Sequence, residues 1–158
     1  MTIDEEIIFE LRANLEHVII KQFVGNYDMP EGLNQTHMIT LIVLYFNGSA
    51  PMSDLSQKLN IEKGSFTPVA NKLIQLDYIK KERNEVDKRV YELSLTDQGT
   101  EVAKKFATSH IEYIKDLVGT LDNEQKDSFF NAVSMVNEVL KGFSNNVGIV
   151  NCKQVNND

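Results

Sequence analysis

The chain has 158 residues, of which 42% are hydrophobic and 25% are charged, and this ordinary globular balance excludes a disordered protein. No apolar run approaches the ~20 residues that span a bilayer, and the first residues are acidic where a secretory signal would be cationic. The single cysteine, Cys152, excludes an internal disulfide framework. We therefore expect a cytoplasmic protein built as one globular unit.

The charge is unevenly distributed along the chain. Its formal net value is -7, yet residues 52–96 hold 8 Lys or Arg against 7 Asp or Glu, while residues 1–51 hold 2 against 7. Five of the cations fall between Lys80 and Arg89. A nucleic-acid-binding protein needs such local positive charge rather than a basic total, although charge alone is equally typical of a solvated mixed-charge surface.

The N-terminal part of the chain predicts two helices. Apolar residues recur at spacings of three and four along one stripe of a long amphipathic helix: Ile3, Ile7, Ile8, Leu11, Leu15, Val18, Ile19 and Phe23. The stretch GNYDMPEG over 25–32 ends this helix. Asn34 is placed to cap a second helix, QTHMITLIVLYF, which is apolar almost all round and is therefore expected to be central.

Residues 51–79 predict two short helices joined by a tight turn, which is the helix-turn-helix pattern. The apolar positions are Leu55 and Leu59 in the first helix and Phe66, Val69, Leu73 and Leu76 in the second. Asn60 suits a left-handed stop between them. Pro68 is harmless in a first turn, where backbone N–H groups have no helical partner, so the second helix is predicted to begin near Ser65.

A β-hairpin is predicted next, with strands over 78–83 and 89–95 and a loop that includes Asn84 and Asp87. In the second strand Tyr91, Leu93 and Leu95 alternate with the residues between them, so we expect these three to face the core. A hairpin directly after a helix-turn-helix forms a wing. That combination is much more specific than either part alone.

Two further helices complete the predicted fold. Thr96 is placed to cap the fifth helix, and Asp122 and Gln125 are placed to form a capping box before the sixth. The apolar stripes are Val102, Phe106, His110, Tyr113, Leu117 and Leu121, followed by Phe129, Phe130, Val133, Val136, Leu140 and Phe143. The Asn-rich residues 144–158 are expected to form a flexible tail. The fold class is thus mainly α with a small β-hairpin wing, an α+β winged helix with six helices.

The sequence resembles the MarR family of winged-helix transcription regulators over about residues 35–100, and more loosely over the terminal helices. Five residues in DKRVYELSLTDQG match the family's Asp-x-Arg…Leu-Thr-x-x-Gly pattern without a gap: Asp87, Arg89, Leu95, Thr96 and Gly99. DLSQKLNI resembles the first helix of the DNA-reading pair. KGSFTPVANKL resembles the recognition helix, in a Thr-Pro variety also seen in the peroxide-responsive branch.

Two departures from the family pattern are visible. Asp77 stands where the family usually has Gly after the recognition helix, which we expect to change only that turn. The first helix lacks the reactive cysteine of the peroxide-responsive branch, so thiol sensing is disfavoured and Cys152 is expected to be incidental.

The resemblance implies a homodimer that binds pseudo-palindromic double-stranded DNA and usually represses transcription. Residues 1–34 and 97–143 would then form the dimerisation region, and residues 35–96 the DNA-binding domain. The amphipathic terminal helices support this independently, because two-fold pairing would bury their stripes.

The candidate DNA contacts lie on the outer face of the recognition helix and on the wing: Lys63, Ser65, Thr67, Asn71, Lys72, Gln75, Arg83, Asp87, Lys88 and Arg89, with Lys80 and Lys81 as further phosphate contacts. Amide side chains pair with adenine in the major groove, and a narrow minor groove attracts Arg89. Asp87 is expected to hold the Arg89 guanidinium in a charge-assisted pair. A solvated helix face and an ordinary surface salt bridge are the simpler alternatives.

Effector and metal sites are less well marked. Many MarR relatives respond to small aromatic or anionic effectors, and the candidate lining residues are Phe9, Tyr45, Phe46, Phe106 and Tyr113, although aromatic residues at helical spacing usually belong to the core. The three histidines are far apart in the sequence, so neither a metal nor another cofactor is expected, and His110 is the one to examine.

An enzyme is not expected, because the sequence holds no nucleophile elbow, P-loop or HExxH motif. One alternative to a DNA-binding regulator stays open, a winged-helix scaffold that recognises proteins without binding DNA. The acidity of the first 51 residues, with a net charge of -5, keeps this alternative open.

Overall fold

The computed structural model describes residues 5–84 and 87–143. The first helical segment, α1, consists of an α-helix over Glu5–Asn14, a π-helical part over Leu15–Lys21 and an α-helix over Gln22–Asn26. The other elements are α2 (Gln35–Asn47), β1 (Ala50–Pro51), α3 (Met52–Lys58), α4 (Lys63–Gln75), β2 (Ile79–Arg83), β3 (Tyr91–Leu95), α5 (Asp97–Gly119) and α6 (Asn123–Phe143). The predicted tail and Cys152 lie outside the described residues.

The predicted fold class is confirmed, since helices dominate and the strands form one small antiparallel sheet of order β1-β3-β2. The short strand β1 was not predicted, and it adds a third strand to the hairpin through the pairing of Ala50 with Leu93. In the described residues, no helix combines the length and apolar character that crossing a membrane requires.

The first helix is not the uniform α-helix that the apolar stripe predicts. Two side chains of α5 bond to carbonyl oxygens of its π-helical part: Tyr113 Oη donates to the Val18 oxygen at 2.8 Å, and His110 Nε2 lies 2.8 Å from the Ile19 oxygen. In a π-helix each backbone hydrogen bond spans one residue more than in an α-helix. Side chains of a neighbouring element stabilise such a segment when they form hydrogen bonds to its carbonyl oxygens. These bonds tie α1 to α5.

The central position predicted for α2 is confirmed, because Met38 and Leu41 are fully buried in the core. The predicted cap is also present: Asn34 Oδ1 accepts from the His37 backbone N–H at 3.2 Å, and the Asn34 backbone N–H donates to His37 Nδ1 at 3.1 Å. Burial of the ring, followed by the charge of Lys72, lowers the pKa of His37, so the neutral ring is favoured in the fold.

The helix-turn-helix is formed by α3 and α4. Asn60 has a φ of 51°, the left-handed stop expected there. The helix α4 begins at Lys63 rather than near Ser65, so Pro68 lies in its second turn instead of its first. Proline supplies no N–H to the carbonyl of Gly64, but both residues are exposed, so that carbonyl is open to solvent.

The hairpin is anchored in the core at its base and extends beyond it. Strands β2 and β3 are antiparallel, with Ile79 opposite Leu95 and Arg83 opposite Tyr91. Ile79 and Leu93 are buried. The expectation that Tyr91 faces the core is wrong, since this residue is 40% exposed. It lies nearer the tip of the hairpin, past the helices that cover the base.

The predicted N-terminal caps of the last two helices, α5 and α6, are both confirmed. Thr96 Oγ1 accepts from the Gly99 N–H at 3.0 Å, and Asp122 and Gln125 exchange backbone-to-side-chain bonds of 2.9 and 3.1 Å. Phe106 of α5 packs in the core with residues of α1 and α2. No residue of α6 is buried, so its apolar stripe is open to solvent in the single chain.

Candidate nucleic-acid interface

The outer face of α4 presents a row of polar side chains. Ser65, Thr67, Asn71 and Gln75 are exposed, as is Lys63 at the start of the helix. The apolar residues on the other side fix this orientation, because Phe66, Ala70 and Leu73 are buried. Amides and hydroxyls on one exposed helical face can bond to base edges in the major groove.

Lys72 is the exception among the predicted contacts of α4. It is half-buried, and its Cε and Nζ lie 3.3 Å from the position that a Cβ on Gly32 would occupy. Its charge also contributes to the lowered pKa of His37. The ammonium therefore packs against the loop before α2. Sequence reasoning missed this because the contact joins distant parts of the chain.

The tip of the wing is held together by Asp87. Its backbone N–H donates to Asn84 Oδ1 at 2.9 Å, and its Oδ1 accepts from the Arg89 backbone N–H at 2.9 Å. The carboxylate thus bonds to the backbone of Arg89, in place of the pair with the guanidinium that the sequence suggests. An aspartate that bonds its own turn stabilises the tip, and the side chains of Lys88 and Arg89 are exposed there.

The two faces of the hairpin carry their charges differently. On one face Lys80 pairs with Glu82 at 3.1 Å. On the other, Lys81 Nζ lies 4.6 Å from the centroid of the Tyr91 ring, and Arg83 Nε donates to the Tyr91 hydroxyl at 3.0 Å. Tyr91 is absent from the predicted site. The signal that identifies it is its register position opposite Arg83.

The Leu-Thr-x-x-Gly part of the motif joins the wing to the end of α4. Thr96 Oγ1 donates to the Asp77 carbonyl at 2.6 Å, and the Thr96 N–H donates to the Tyr78 carbonyl at 3.1 Å. Asp77 has a φ of 57°, in the left-handed region that favours glycine and tolerates aspartate. The departure at Asp77 therefore keeps the backbone conformation for which a glycine is suited.

The five candidate effector residues fall into separate groups. Phe106 and Tyr113 of α5 both contact the ring of Phe23 in α1 and so belong to one aromatic cluster. Tyr45 and Phe46 contact each other with ring centroids 5.1 Å apart, and Phe9 is exposed on α1. Among the described residues, no ring contact joins the three groups. These ring contacts therefore do not group the five residues into one cluster.

An open groove of about 450 Å³ adjoins the cluster of α5. It is lined by Phe23, Asn26, Tyr27, Asp28, Lys105, Ser109, Glu112, Tyr113 and Asp116. The ring of His110 stacks on Phe23, with centroids 4.4 Å apart, and its Nε2 is engaged by the Ile19 carbonyl. His110 is thus a packing residue of the α1–α5 contact, and within the described part of the chain no three potential metal ligands are grouped.

The chain is similar to known transcriptional regulators. A family model described as transcriptional regulator SarA/Rot matches residues 22–106. The chain is 29% identical over 138 residues to the HTH-type transcriptional regulator MhqR of Bacillus subtilis, which covers 87% of each protein.

Two solved structures share the fold. One is Streptococcus pneumoniae FabT in complex with DNA, with a TM-score of 0.69 and 20% identity, covering 88% of this chain and 98% of that one. The other is a MarR family protein from Bacillus stearothermophilus, with a TM-score of 0.70 and 14% identity, covering 87% and 92%.

Proposed function

This chain belongs to the SarA/Rot family of transcriptional regulators, which has the MarR-type winged-helix fold, and we propose that it is a homodimer that represses transcription from a pseudo-palindromic operator. The observation that carries the proposal is the bonding of Thr96 to Asp77 and Tyr78. Those bonds fix the wing relative to α4, so the two elements form one preshaped surface for DNA.

We expect α4 to enter the major groove. Asn71 and Gln75 would meet base edges, with adenine as the preferred base, and Ser65 and Thr67 would bond to bases or phosphates. Lys63, at the start of the helix, would contact the backbone. FabT, which shares the fold, was solved in complex with DNA, and this supports DNA binding by the present chain.

The wing would reach the neighbouring minor groove. Arg89 would insert there, because a narrow minor groove concentrates negative potential, while Lys88 and Arg83 would contact phosphates. Asp87 would act through the shape of the tip. Lys72 would have to leave Gly32 to reach a phosphate, so we rank it behind the other contacts.

Homodimer formation is supported by the apolar surface that the single chain leaves open. Phe9 on α1 is 68% exposed and Met135 on α6 is 71% exposed, and apolar neighbours on both helices are open as well. Soluble monomers rarely expose contiguous apolar faces of this kind. Two-fold pairing of residues 1–34 with 97–143 would cover them and set the two α4 helices about one DNA turn, ~34 Å, apart.

Release by a small effector and a cytoplasmic location complete the proposal. The groove beside Phe23 and Tyr113 offers aromatic walls. Its lining holds one cation, Lys105, against three carboxylates, those of Asp28, Glu112 and Asp116, so a small aromatic effector without a negative charge suits it better than an anion. The groove adjoins the contact between α1 and α5. A ligand bound there would shift these helices, which would set the spacing of the two reading heads.

The test is DNA binding at two salt concentrations. The protein is titrated at ~50 and ~200 mM salt with duplexes that it selects from its source genome and with random duplexes of equal length. A protein that makes about 6–10 phosphate contacts loses a factor of roughly 10³–10⁵ in affinity between these two salt concentrations. A regulator should lose affinity steeply with salt and should prefer the selected duplex. A winged-helix scaffold that recognises proteins should show neither behaviour. A protein without salt-dependent binding and without a preference for the selected duplex would therefore favour that alternative.

A further inference from the structure

One face of the wing gathers two cations around one aromatic ring. Arg83 lies directly opposite Tyr91, and Lys81 lies two residues before Arg83 on the same strand. Alternate residues of paired strands share a face, so all three side chains leave the same side of the hairpin. The buried Ile79 and Leu93 continue this face toward the core. The three polar residues thus extend the core-facing side beyond the body of the protein.

The ring of Tyr91 contacts both cations by different means. Lys81 Nζ lies 4.6 Å from the ring centroid, and Arg83 Cζ lies 5.5 Å from it, within the range of a cation–π interaction. Arg83 Nε also donates to the Tyr91 hydroxyl oxygen at 3.0 Å. One side chain therefore sets the position of an ammonium and a guanidinium on neighbouring sites.

In the part of the chain that the structure describes, no acid cancels the charges of this group. Within the described residues, no carboxylate lies at ion-pairing distance from Lys81 or Arg83, whereas Lys80 on the other face is paired with Glu82 at 3.1 Å. A carboxylate partner would neutralise the charge that attracts a phosphate. An aromatic ring orients a cation through its quadrupole and leaves the net positive charge in place.

The hydroxyl of Tyr91 has a further capacity. Because its oxygen accepts the Nε–H of Arg83, its own hydrogen is available to another acceptor. We propose that Tyr91 is a positioning residue that holds Lys81 and Arg83 as a preformed clamp for a backbone phosphate, with its hydroxyl as a third donor. This inference rests on the proposed function, since the phosphates are those of double-stranded DNA.

Two substitutions separate the parts played by Tyr91. Tyr91→Phe keeps the ring beside Lys81 but removes the bond to Arg83 and the third donor, and Tyr91→Leu removes the ring as well. We expect affinity to fall about threefold and about tenfold, respectively. The loss should be equal on a selected duplex and on a random duplex of the same length, because phosphate contacts carry no sequence information.

The salt dependence of binding distinguishes positioning from charge. Both Tyr91 variants keep the two cations, so the slope of log affinity against log salt should match wild type, whereas Lys81→Ala should reduce that slope by about one. In an Arg83→Ala background, Tyr91→Phe should have a smaller effect than in wild type. Lys80→Ala, on the paired face, is the matched control and should cost less affinity than Lys81→Ala.

The outcomes are distinguishable from a failure of the proposed function. If wild type shows no salt-dependent binding to either duplex, the regulator itself is in doubt. If wild type binds and both Tyr91 variants bind as tightly as wild type, the clamp is wrong and the regulator stands. A loss confined to the selected duplex would assign Tyr91 to base reading and overturn the clamp. Tyr91→Phe decides the matter if Tyr91→Leu does not fold.

Discussion

Gly99 packs its Cα against the backbone carbonyl of Tyr78 so closely that a Cβ on Gly99 would overlap the carbonyl oxygen and lie 2.8 Å from the carbonyl carbon. The glycine stands in the first turn of α5, and Tyr78 follows the turn that ends the recognition helix α4. The Tyr78 carbonyl also accepts the Thr96 N–H. The first turn of α5 is therefore the point at which the wing and the end of α4 meet this helix.

Substituting Gly99→Ala should destabilise the protein by about 3 kcal/mol or more, because the opposing atom is backbone and cannot move without shifting α5 or the start of β2. Urea unfolding at a fixed protein concentration measures this loss. Gly119→Ala in the same helix is the matched control, since nothing lies within 4 Å of its added Cβ. An unchanged midpoint for Gly99→Ala would contradict the packing described here.

Arg89→Ala should weaken binding to a selected duplex by roughly 1–3 kcal/mol while leaving the melting temperature unchanged. The guanidinium is exposed at the tip of the wing, so its removal costs no packing. Fluorescence anisotropy and thermal unfolding of the same samples provide both readouts. Normal DNA binding by this variant would remove the wing tip from the interface.

The two possible roles of Asp87 are separated by a pair of variants. Asp87→Asn keeps the side-chain oxygen that accepts the Arg89 N–H and removes the charge, whereas Asp87→Ala removes both. We expect the asparagine variant to bind DNA at least as tightly as wild type. The alanine variant should bind more weakly, because the tip loses the bond that shapes it. Tighter binding by Asp87→Ala would show that the carboxylate acts only by repelling phosphate.

The parts of this structure that the sequence predicts well are those set by short-range chemistry. The cap residues Asn34, Thr96 and Asp122 each bond to a group three residues away, so the pattern that predicts them already contains both partners. The same holds for Asn60, whose left-handed conformation follows from its side chain and its place at a helix end.

The features that the sequence does not predict depend on contacts between distant segments. The π-helical part of α1 is bonded by Tyr113, and no residue within α1 marks it. Lys72 looks like an outward cation until the loop containing Gly32 is folded against it. The exposure of Tyr91 depends on how far the hairpin projects beyond the core, which alternation of apolar residues leaves undetermined.

His37 should make stability fall in mildly acidic solution. Burial of its ring, and then the charge of Lys72, hold the pKa of the folded ring below its ordinary value of 6.5. The unfolded chain therefore takes up a proton at a higher pH than the folded chain. The contribution is fully present above about pH 6.5 and is lost as the pH falls through the pKa of the folded ring.

Urea midpoints measured from about pH 8 to about pH 5 test this for wild type and His37→Gln. Glutamine offers both a donor and an acceptor to the cap at Asn34 without titrating, so the variant should lose less stability on acidification. Parallel pH profiles for the two proteins would show that His37 does not titrate differently in the folded state.

The apolar stripe of α6 should be the interface of the proposed homodimer. Val136→Asp places a charge in the middle of that stripe, and burying an unpaired carboxylate costs far more than an exposed one, so the dimer should dissociate at least about tenfold more readily. Sedimentation velocity over a concentration series measures the shift. Binding to a selected palindromic duplex should weaken in parallel, because a single reading head covers only a half-site.

Asn131→Asp is the matched control for this experiment. It adds the same charge to the same helix, at an exposed polar position that the helical spacing places on the face opposite the stripe, so its dimer should resemble wild type. If Val136→Asp also sediments like wild type, α6 does not form the interface, and the exposed apolar residues of α1 would have to form it alone. If wild type itself is a monomer at micromolar concentration, the proposed spacing of two α4 helices across one DNA turn is wrong.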